Sequence, residues 1–499
     1  MSDLKYAKLQ NGSDVRGVAM ENSAGEQVNL TEDAVTAISR AFAQWLKVKT
    51  GKEKVRVAVG RDSRITGPQI LGWTLAALTA EGVDAVNFEM ASTPCMFMST
   101  VLGDDPFDGS VMITASHLPQ QRNGMKFFTK DGGLEKADIK KLIEIAETAD
   151  AASLTPVDVP KIDFIDVYAE HLCDVIRERV GRDRPLEGMH IVVDAGNGAG
   201  GFFESKVLRP LGADTTGSQF LEPDGTFPNH IPNPENEAAA AAIVEATLRN
   251  KADLGIIFDT DVDRAGAVLS DGTELTRNAL IAMMGAILLK EHPGCEIVTD
   301  SITSTGLAAF IAGHGGIHRR FKRGYKNVIN EAIRLNGAGA DCELAMETSG
   351  HGALKENYFL DDGAYLMVKL LIELGKGHDL KAMISDLAEP AEATEIRFSI
   401  SSDNVPAVQD EALSRLEASV EKTPGWTVAP DNFEGIRINA DKDHGNGWLL
   451  LRKSLHDPIL PLNIESDSSG GCKIIAGALY DIIKDVEGLE VKPLADYIR

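Results

Sequence analysis

The sequence predicts an α/β protein: three similar α/β domains with mixed sheets, followed by a C-terminal α+β domain. Three observations predict it. Short apolar runs alternate with amphipathic stretches through the first 390 or so of the 499 residues. Polar and glycine-rich motifs follow those runs directly. Beyond that point the texture changes to short strands around a single helix. A chain of 499 residues is too long for one core, and three or four domains are expected. The expected boundaries are 1–155, 156–268, 269–390 and 391–499.

The elements follow in order. Thr31 is placed to cap a helix that carries Glu32 and Asp33 in its first turn. Ala34, Ile38, Phe42 and Trp45 continue that helix at apolar spacing. Val55 to Val59 reads as a buried strand, and Gly67-Pro68 opens the next helix. Ala85 to Phe88 and Ser110 to Thr114 are further strands. The rhythm repeats from His190 to Asp194, closing on Leu254 to Phe258, and again around Glu296 to Thr299. The longest apolar stretch, Ala279 to Leu289, has the length of a core helix rather than a membrane span. In the last domain, strands are expected at Glu395 to Ile400, Gly435 to Ile438 and Trp448 to Leu451. They flank one helix, Val405 to Val420, and the run Ala440 to Gly445 is a turn.

Composition narrows the function. The net charge of −25 disfavours nucleic acid and anionic membrane surfaces, which reward clustered Lys and Arg. A small phosphorylated substrate stays compatible if cations converge locally. The five cysteines are scattered without a CxxC pair, which speaks against structural disulfides and a thiolate zinc site. The N-terminus lacks the apolar core of a secretory signal. A reducing cytoplasm is the expected compartment; oligomeric state is not legible.

Two motifs carry the chemistry. Thr114-Ala115-Ser116-His117-Leu118-Pro119 follows one buried strand and offers a hydroxyl for a phosphoryl group. Read alone, Ser116 is equally a turn hydroxyl. His117 adds a polar contact or a positive charge. Lys126, in Asn123-Gly124-Met125-Lys126, can neutralise phosphate, or shuttle a proton if burial lowers its pKa. Asp259-Thr260-Asp261-Val262-Asp263-Arg264 follows another buried strand. In extended backbone its alternate carboxylates share one side, a pattern suited to Mg²⁺. A solvated acidic turn is the plain alternative. An EF-hand fails, because Arg264 and Ser270 stand where Gly and Glu are required.

Other motifs are weaker. Asp194 to Gly201 contains G-x-G-x-x-G after a strand, which admits a dinucleotide loop but fits a tight strand-to-helix turn better. Glu347-Thr348-Ser349-Gly350-His351 groups an acceptor, hydroxyls and an imidazole suited to sugar hydroxyls, or is an ordinary polar loop. No G-x-S-x-G elbow for a serine hydrolase is present there. Arg452-Lys453-Ser454-Leu455-His456-Asp457-Pro458 concentrates cations after a strand, as a solvated edge also would. Arg16, in Gly12 to Gly17, is unremarkable alone.

Together these stretches resemble the α-D-phosphohexomutase family, the phosphoglucomutases and phosphomannomutases, along nearly the whole chain. Thr114 to Pro119 with Asn123, Gly124 and Lys126 resembles the phosphoserine loop, and Asp259 to Arg264 the magnesium loop. Glu347 to His351 resembles the sugar-recognition loop, and Arg452 to Pro458 the phosphate-binding loop. Gly12 to Gly17, Pro223 to Pro228, Pro232 to Pro234 and Arg323 to Lys326 match further family stretches.

The resemblance implies four domains around a central cleft and an enzyme phosphorylated on Ser116. It implies Mg²⁺ held by that phosphate with Asp259, Asp261 and Asp263. Arg16 and Lys126 would flank the transferring phosphoryl, and Lys126 or His351 would serve as general acid/base. Arg264, Lys326, Glu347, Ser349, Arg452, Ser454 and His456 would contact substrate. The implied reaction interconverts hexose 1- and 6-phosphates of glucose and mannose through a 1,6-bisphosphate, which also serves as activator. Phosphoglucosamine mutase and a noncatalytic sugar-phosphate-binding protein are the rivals. Leu118, Leu455 and His456 depart from the family pattern, the first where Asn is usual.

Overall fold

The computed structural model describes residues 4–23, 25–454 and 458–499. The chain forms two compact units, Met1–Met284 with Ser349–Met383, and Gly285–Thr348 with Ile384–Arg499.

The first unit holds two sheets. One has the strand order Gln10–Asn11, Asp14–Val18, Arg122–Thr129, Gly109–Ile113, Arg56–Arg61, Asp84–Met90, with Gly132–Gly133 beside Arg122–Thr129. It is mixed, as expected. Arg56–Arg61 runs parallel to both its neighbours, while Arg122–Thr129 is antiparallel to both Gly109–Ile113 and Asp14–Val18. The register sets Arg16 opposite Gly124. Cross-strand partners share a face, as do residues two apart, so Arg16 and Lys126 project from the same face.

Helix Glu32–Thr50 covers this sheet with Ala34, Ile38, Phe42 and Leu46 buried at helical spacing. Phe42 meets Phe127 of the sheet at a centroid distance of 4.8 Å, an apolar lock between the layers. Thr31 stands at the N-cap, but its hydroxyl bonds Asp33 rather than the helix backbone. Helix Gly67–Ala80 starts with its proline in the first turn, where the missing N–H costs nothing.

The second sheet runs Glu274–Leu275, Ala265–Leu269, Leu254–Phe258, Ile191–Asp194. Only the last pair is parallel. The glycine loop after Asp194 leads into a π-helical stretch, Phe203–Leu208, not the regular helix a dinucleotide loop would open. Its glycines serve close packing instead. A Cβ on Gly198 would lie 2.6 Å from the Thr260 carbonyl oxygen, so this loop braces the acidic turn.

In the second unit, Glu296–Thr299 pairs in parallel with Ile317–Arg320 and Cys342–Met346. Helix Arg277–Glu291 starts within the first unit and ends within the second, and its stretch from Leu280 to Leu289 is buried, as its apolar run predicts. The last sheet is antiparallel throughout, in the order Glu392–Ser399, Ile459–Ser466, Gly447–Leu451, Ile436–Ala440, Trp426–Val428.

Helix Val405–Ser419 lies where expected, but the expectation of one helix here is corrected. Gly471–Ile483 and Lys492–Ile498 are also helical. The first of these starts from a left-handed Gly470 and carries β-branched isoleucines, both poor helix signals. Burial of Cys472, Ile475, Ala476, Leu479 and Ile483 on one face overrides that propensity. Among the described residues, no helix is long and apolar enough to cross a membrane. All five cysteines are buried free thiols.

Candidate active site

Ser116 sits just past strand Gly109–Ile113, only 1% exposed. Its backbone is left-handed, with φ of 51°, a conformation that costs a non-glycine residue free energy and persists only where the surroundings enforce it. Thr114 contributes by accepting the Ser116 N–H at 2.8 Å through Oγ1. The Ser116 hydroxyl donates to Asp259 Oδ2 at 3.0 Å and accepts from Arg264 Nη2 at 3.1 Å.

The acidic motif is not extended. It is the tight connection of the hairpin Leu254–Phe258/Ala265–Leu269, closed by Asp259 N–H to the Arg264 carbonyl at 3.3 Å. Val262 adopts a φ of 67°. The aspartates therefore converge by turning, not by strand alternation, and this corrects the expected geometry. Carboxylate oxygens of Asp259, Asp261 and Asp263 lie within 4.8 Å of one another, and all three residues are buried.

Oδ1 of Asp261 and Oδ1 of Asp263 are buried without a hydrogen bond. Orphaned carboxylate oxygens in such a cluster fit a hard divalent cation, whose preferred donors are all oxygen. Burial, then the charges of Asp263 and Asp261, hold the Asp259 carboxyl well above the usual range. Burial would raise Asp263 too, but Lys126, His351 and Arg264 outweigh it and hold it well below.

Cations surround the triad. Lys126 Nζ reaches Asp261 at 3.1 Å and Asp263 at 2.5 Å. Burial works against its ammonium, yet these two carboxylates keep the pKa well above the ordinary lysine value. Lys126 is therefore placed to start as a proton donor; the pKa lowered by burial that would let it start as a base is absent in this charge balance. Arg16 is fixed by Asp14 at 2.9 Å and reaches the Ala115 carbonyl at 3.4 Å. Its neighbour across the sheet must be glycine: a Cβ on Gly124 would lie 2.3 Å from the Val15 oxygen.

Both histidines have lowered pKa values. His117 Nδ1 accepts from Arg264 Nη2 at 2.6 Å. Burial and then Arg264 push its pKa down to about 2, so the expectation of a positive charge there is withdrawn. His351 Nε2 accepts from Arg264 Nε at 3.3 Å, and Nδ1 lies 3.0 Å from Ser349 Oγ. Burial leads the lowering of its pKa as well, with Arg264 adding to it.

Ser116, His117, Lys126, Arg16, the three aspartates, Arg264, Ser349 and His351 thus all belong to the first unit. The remaining described candidates, Lys326, Glu347, Arg452 and Ser454, belong to the second. There, Glu347 accepts the Gly324 N–H at 2.6 Å, two residues before Lys326 in the first turn of helix Tyr325–Gly337. Arg452 is 6% exposed and lies 3.8 Å from Glu434. Ser454 donates its backbone N–H to Ile459 at 3.4 Å. His456 lies outside the described residues.

Sequence reading missed several residues around Ser116. Asp62 accepts from Thr114 Oγ1 at 2.6 Å, and Thr93 donates to Asp261 Oδ2 at 2.5 Å. Arg64 is buried among the carbonyls of the serine loop. The available signal was a charged loop, Gly60 to Arg64, after a buried strand.

Comparison with known proteins agrees with this layout. Residues 7–153, 166–272 and 276–391 match the profiles of phosphoglucomutase/phosphomannomutase alpha/beta/alpha domains I, II and III. The chain is 29% identical over 474 residues to the phosphoglucomutase of Neisseria gonorrhoeae, covering 94% of this chain and 95% of that one. It is 29% identical over 457 residues to the phosphomannomutase/phosphoglucomutase of Pseudomonas aeruginosa strain PAO1, covering 89% and 92%. A crystal structure of a phosphoglucomutase/phosphomannomutase family protein from Burkholderia thailandensis superposes with a TM-score of 0.79 at 26% identity. It covers 97% of this chain and 99% of that one.

Proposed function

This chain belongs to the phosphoglucomutase/phosphomannomutase family, the α-D-phosphohexomutases, and we propose that it interconverts the 1- and 6-phosphates of glucose and mannose. It is a phosphomutase, an intramolecular phosphotransferase. The observation that carries the phosphoserine reading is the buried Ser116 hydroxyl, 3.0 Å from Asp259 and 3.1 Å from Arg264 beside the acidic turn; the glucose and mannose assignment follows the names of the relatives.

In this reading Ser116 carries the phosphoryl group between turnovers. The sugar's free hydroxyl attacks phosphorus, the Ser116 Oγ–P bond breaks, and a hexose 1,6-bisphosphate forms. That intermediate turns end for end, and its other phosphate returns to Ser116. The same bisphosphate, added in trace, primes the dephosphorylated enzyme.

Mg²⁺ would be held by Asp259, Asp261 and Asp263 with the phosphoserine, supplying positive charge to the phosphoryl oxygens and neutralising part of the carboxylate charge. Arg264 and Arg16 are assigned to stabilise charge on the transferring group, as preorganised donors in a dry site do. Lys126, held as an ammonium, is assigned to protonate the leaving Ser116 oxygen. His351 is assigned to accept the hydroxyl proton at Nε2, a step that requires its hydrogen bond from Arg264 Nε to open when substrate binds. His117 keeps Arg264 in place as an acceptor. Glu347 and Ser349 are assigned to the sugar hydroxyls. Lys326, Arg452, Ser454 and His456 are assigned to the phosphate that is not reacting.

A coupled assay tests this with Mg²⁺, trace glucose 1,6-bisphosphate, and the 1-phosphates of glucose, mannose and glucosamine in parallel. Turnover of the glucose and mannose compounds is expected. Preference for the glucosamine compound would reassign the sugar. Binding without turnover of any, by folded and phosphorylated protein, would overturn the catalytic reading.

A further inference from the structure

Arg64 is fully buried, at 0% exposure, in the loop after strand Arg56–Arg61. Its guanidinium faces a ring of backbone carbonyls. Nη1 donates to Pro119 and to Arg122, both at 2.9 Å, and Nη2 donates to Leu118 at 2.5 Å and to Ser116 itself. Nε lies 3.3 Å from Asp62 Oδ2. Asp62 in turn accepts the Arg64 N–H at 3.0 Å and the Thr114 hydroxyl at 2.6 Å. The circuit closes when Thr114 Oγ1 accepts the Ser116 N–H at 2.8 Å. Both peptide groups of Ser116 are therefore held, its N–H through Asp62 and Thr114 and its carbonyl by Arg64 directly.

A second contact reaches this arginine from the other sheet's side of the unit. The Phe227 ring centroid stands 5.4 Å from the Arg64 guanidinium carbon, within cation–π range. Phe227 can approach because Gly225 packs on the backbone of residues 63–65; a Cβ there would lie 2.5 Å from the Ser63 oxygen. The stretch Pro223 to Pro228, which the mechanism leaves without a role, thus backs the arginine that holds the serine loop.

We propose that Arg64 is a positioning residue for phosphoryl transfer: by gathering the carbonyls of Ser116, Leu118, Pro119 and Arg122, it holds Ser116 in its left-handed conformation and aims Oγ at the transfer site, with Phe227 bracing the guanidinium. The proposal rests on the mutase reading above. A planar fork with several fixed donors suits the task, and a lysine ammonium cannot span four acceptors. Transfer depends steeply on the placement of the reacting oxygen, and small misplacements cost large factors in rate.

The test compares wild type, Arg64→Lys and Phe227→Leu. Melting temperature, Mg²⁺ affinity, kcat and KM are measured, with the single-turnover rate of Ser116 phosphorylation by glucose 1,6-bisphosphate followed by intact mass. Arg64→Lys is expected to slow phosphorylation and kcat by about tenfold or more, with KM and Mg²⁺ affinity within about threefold of wild type. Phe227→Leu is expected to slow both by about threefold. An Arg64→Lys protein that melts earlier yet transfers at the wild-type rate per folded molecule would show a purely structural role and overturn the proposal. So would a rise in KM without a fall in kcat. If Arg64→Lys does not fold, Phe227→Leu decides, and an unchanged transfer rate in it overturns the proposal. Wild type that acquires no covalent phosphate would overturn the mutase reading itself, and this proposal with it.

Discussion

Arg264 Nη2 lies 3.1 Å from Ser116 Oγ and 2.6 Å from His117 Nδ1, so one nitrogen ties the acidic turn to two successive residues of the serine loop. A guanidinium can only donate, so the imidazole nitrogen facing it must be unprotonated. The same arginine reaches His351 at 3.3 Å through Nε. One side chain thereby adds to burial in lowering the pKa of both histidines.

Replacing that fork should therefore be costly. Arg264→Lys keeps the charge but cannot serve Ser116, His117 and His351 together. Its kcat is expected to fall by about 10²-fold, the scale of losing a preorganised donor to the transferring group. Steady-state kinetics checks this; a kcat within a factor of two of wild type would remove Arg264 from the transfer step.

Ser116→Ala deletes the acceptor oxygen and little else. Two hydrogen bonds are lost, the one to Asp259 and the one from Arg264, together worth about 2 kcal/mol, so the protein should stay folded with only a modestly lower melting temperature. Intact mass should show no added phosphate after incubation with glucose 1,6-bisphosphate, and turnover should drop to background. Persistent phosphorylation would place the phosphoryl group on another residue.

The acidic turn predicts metal-linked stability. Mg²⁺ is expected to raise the melting temperature of wild type by binding only the folded triad. Asp261→Asn should weaken that response and raise the Mg²⁺ concentration needed for half-maximal activity by about tenfold or more. An unchanged titration in calorimetry and in kinetics would show that Asp261 is not a ligand.

His230 supplies a pH signature away from the nucleophile. Its Nε2 lies 3.1 Å from both Asp194 carboxylate oxygens. Burial opposes protonation, but the Asp194 hydrogen bond and charge outweigh it, and the folded pKa is raised above 6.5. A raised histidine binds its proton more tightly in the folded state, so the contribution is fully present below pH 6.5 and is lost as pH rises through the folded pKa. Urea unfolding of wild type and His230→Gln across that range should show a difference that shrinks with rising pH. A difference that grows instead would reverse the assignment.

Gly198→Ala tests the brace behind the triad. The new Cβ would meet the Thr260 oxygen at 2.6 Å, so the turn or the glycine loop must shift. A loss of about 1–3 kcal/mol is expected, the range for overpacking, together with weaker Mg²⁺ binding. Normal stability with normal metal affinity would mean the two loops move apart freely.

Much of this was legible in the sequence because it is local information. Strand Leu254–Phe258 coincides with its apolar run, and strand Gly109–Ile113 with its run to within a residue. The chemical groups stand directly after them, at Asp259 and Ser116. Helix Glu32–Thr50 follows from a 3.6-residue apolar period and an acidic first turn. Helix Gly471–Ile483 was missed although Cys472, Ile475, Ala476, Leu479 and Ile483 recur at helical spacing, because Gly470, Gly471 and Gly477 interrupt the local signal.

The sequence by itself singled out Ser116, Asp259, Asp261 and Asp263 as candidate groups directly after strands, while Arg16 and Lys126 lie within strands and Asp62, Arg64 and Thr93 escaped it. Residue identity, period and spacing need no knowledge of distant partners. Only the tertiary structure decided how those groups act. Arg64 reaches carbonyls more than fifty residues away, at Ser116, Leu118, Pro119 and Arg122. The pKa of Lys126 is raised by carboxylates from a distant turn, and those of His117 and His351 are lowered by burial and then by Arg264. Charge state and aim depend on burial and on long-range contacts, and these exist only once the chain has folded.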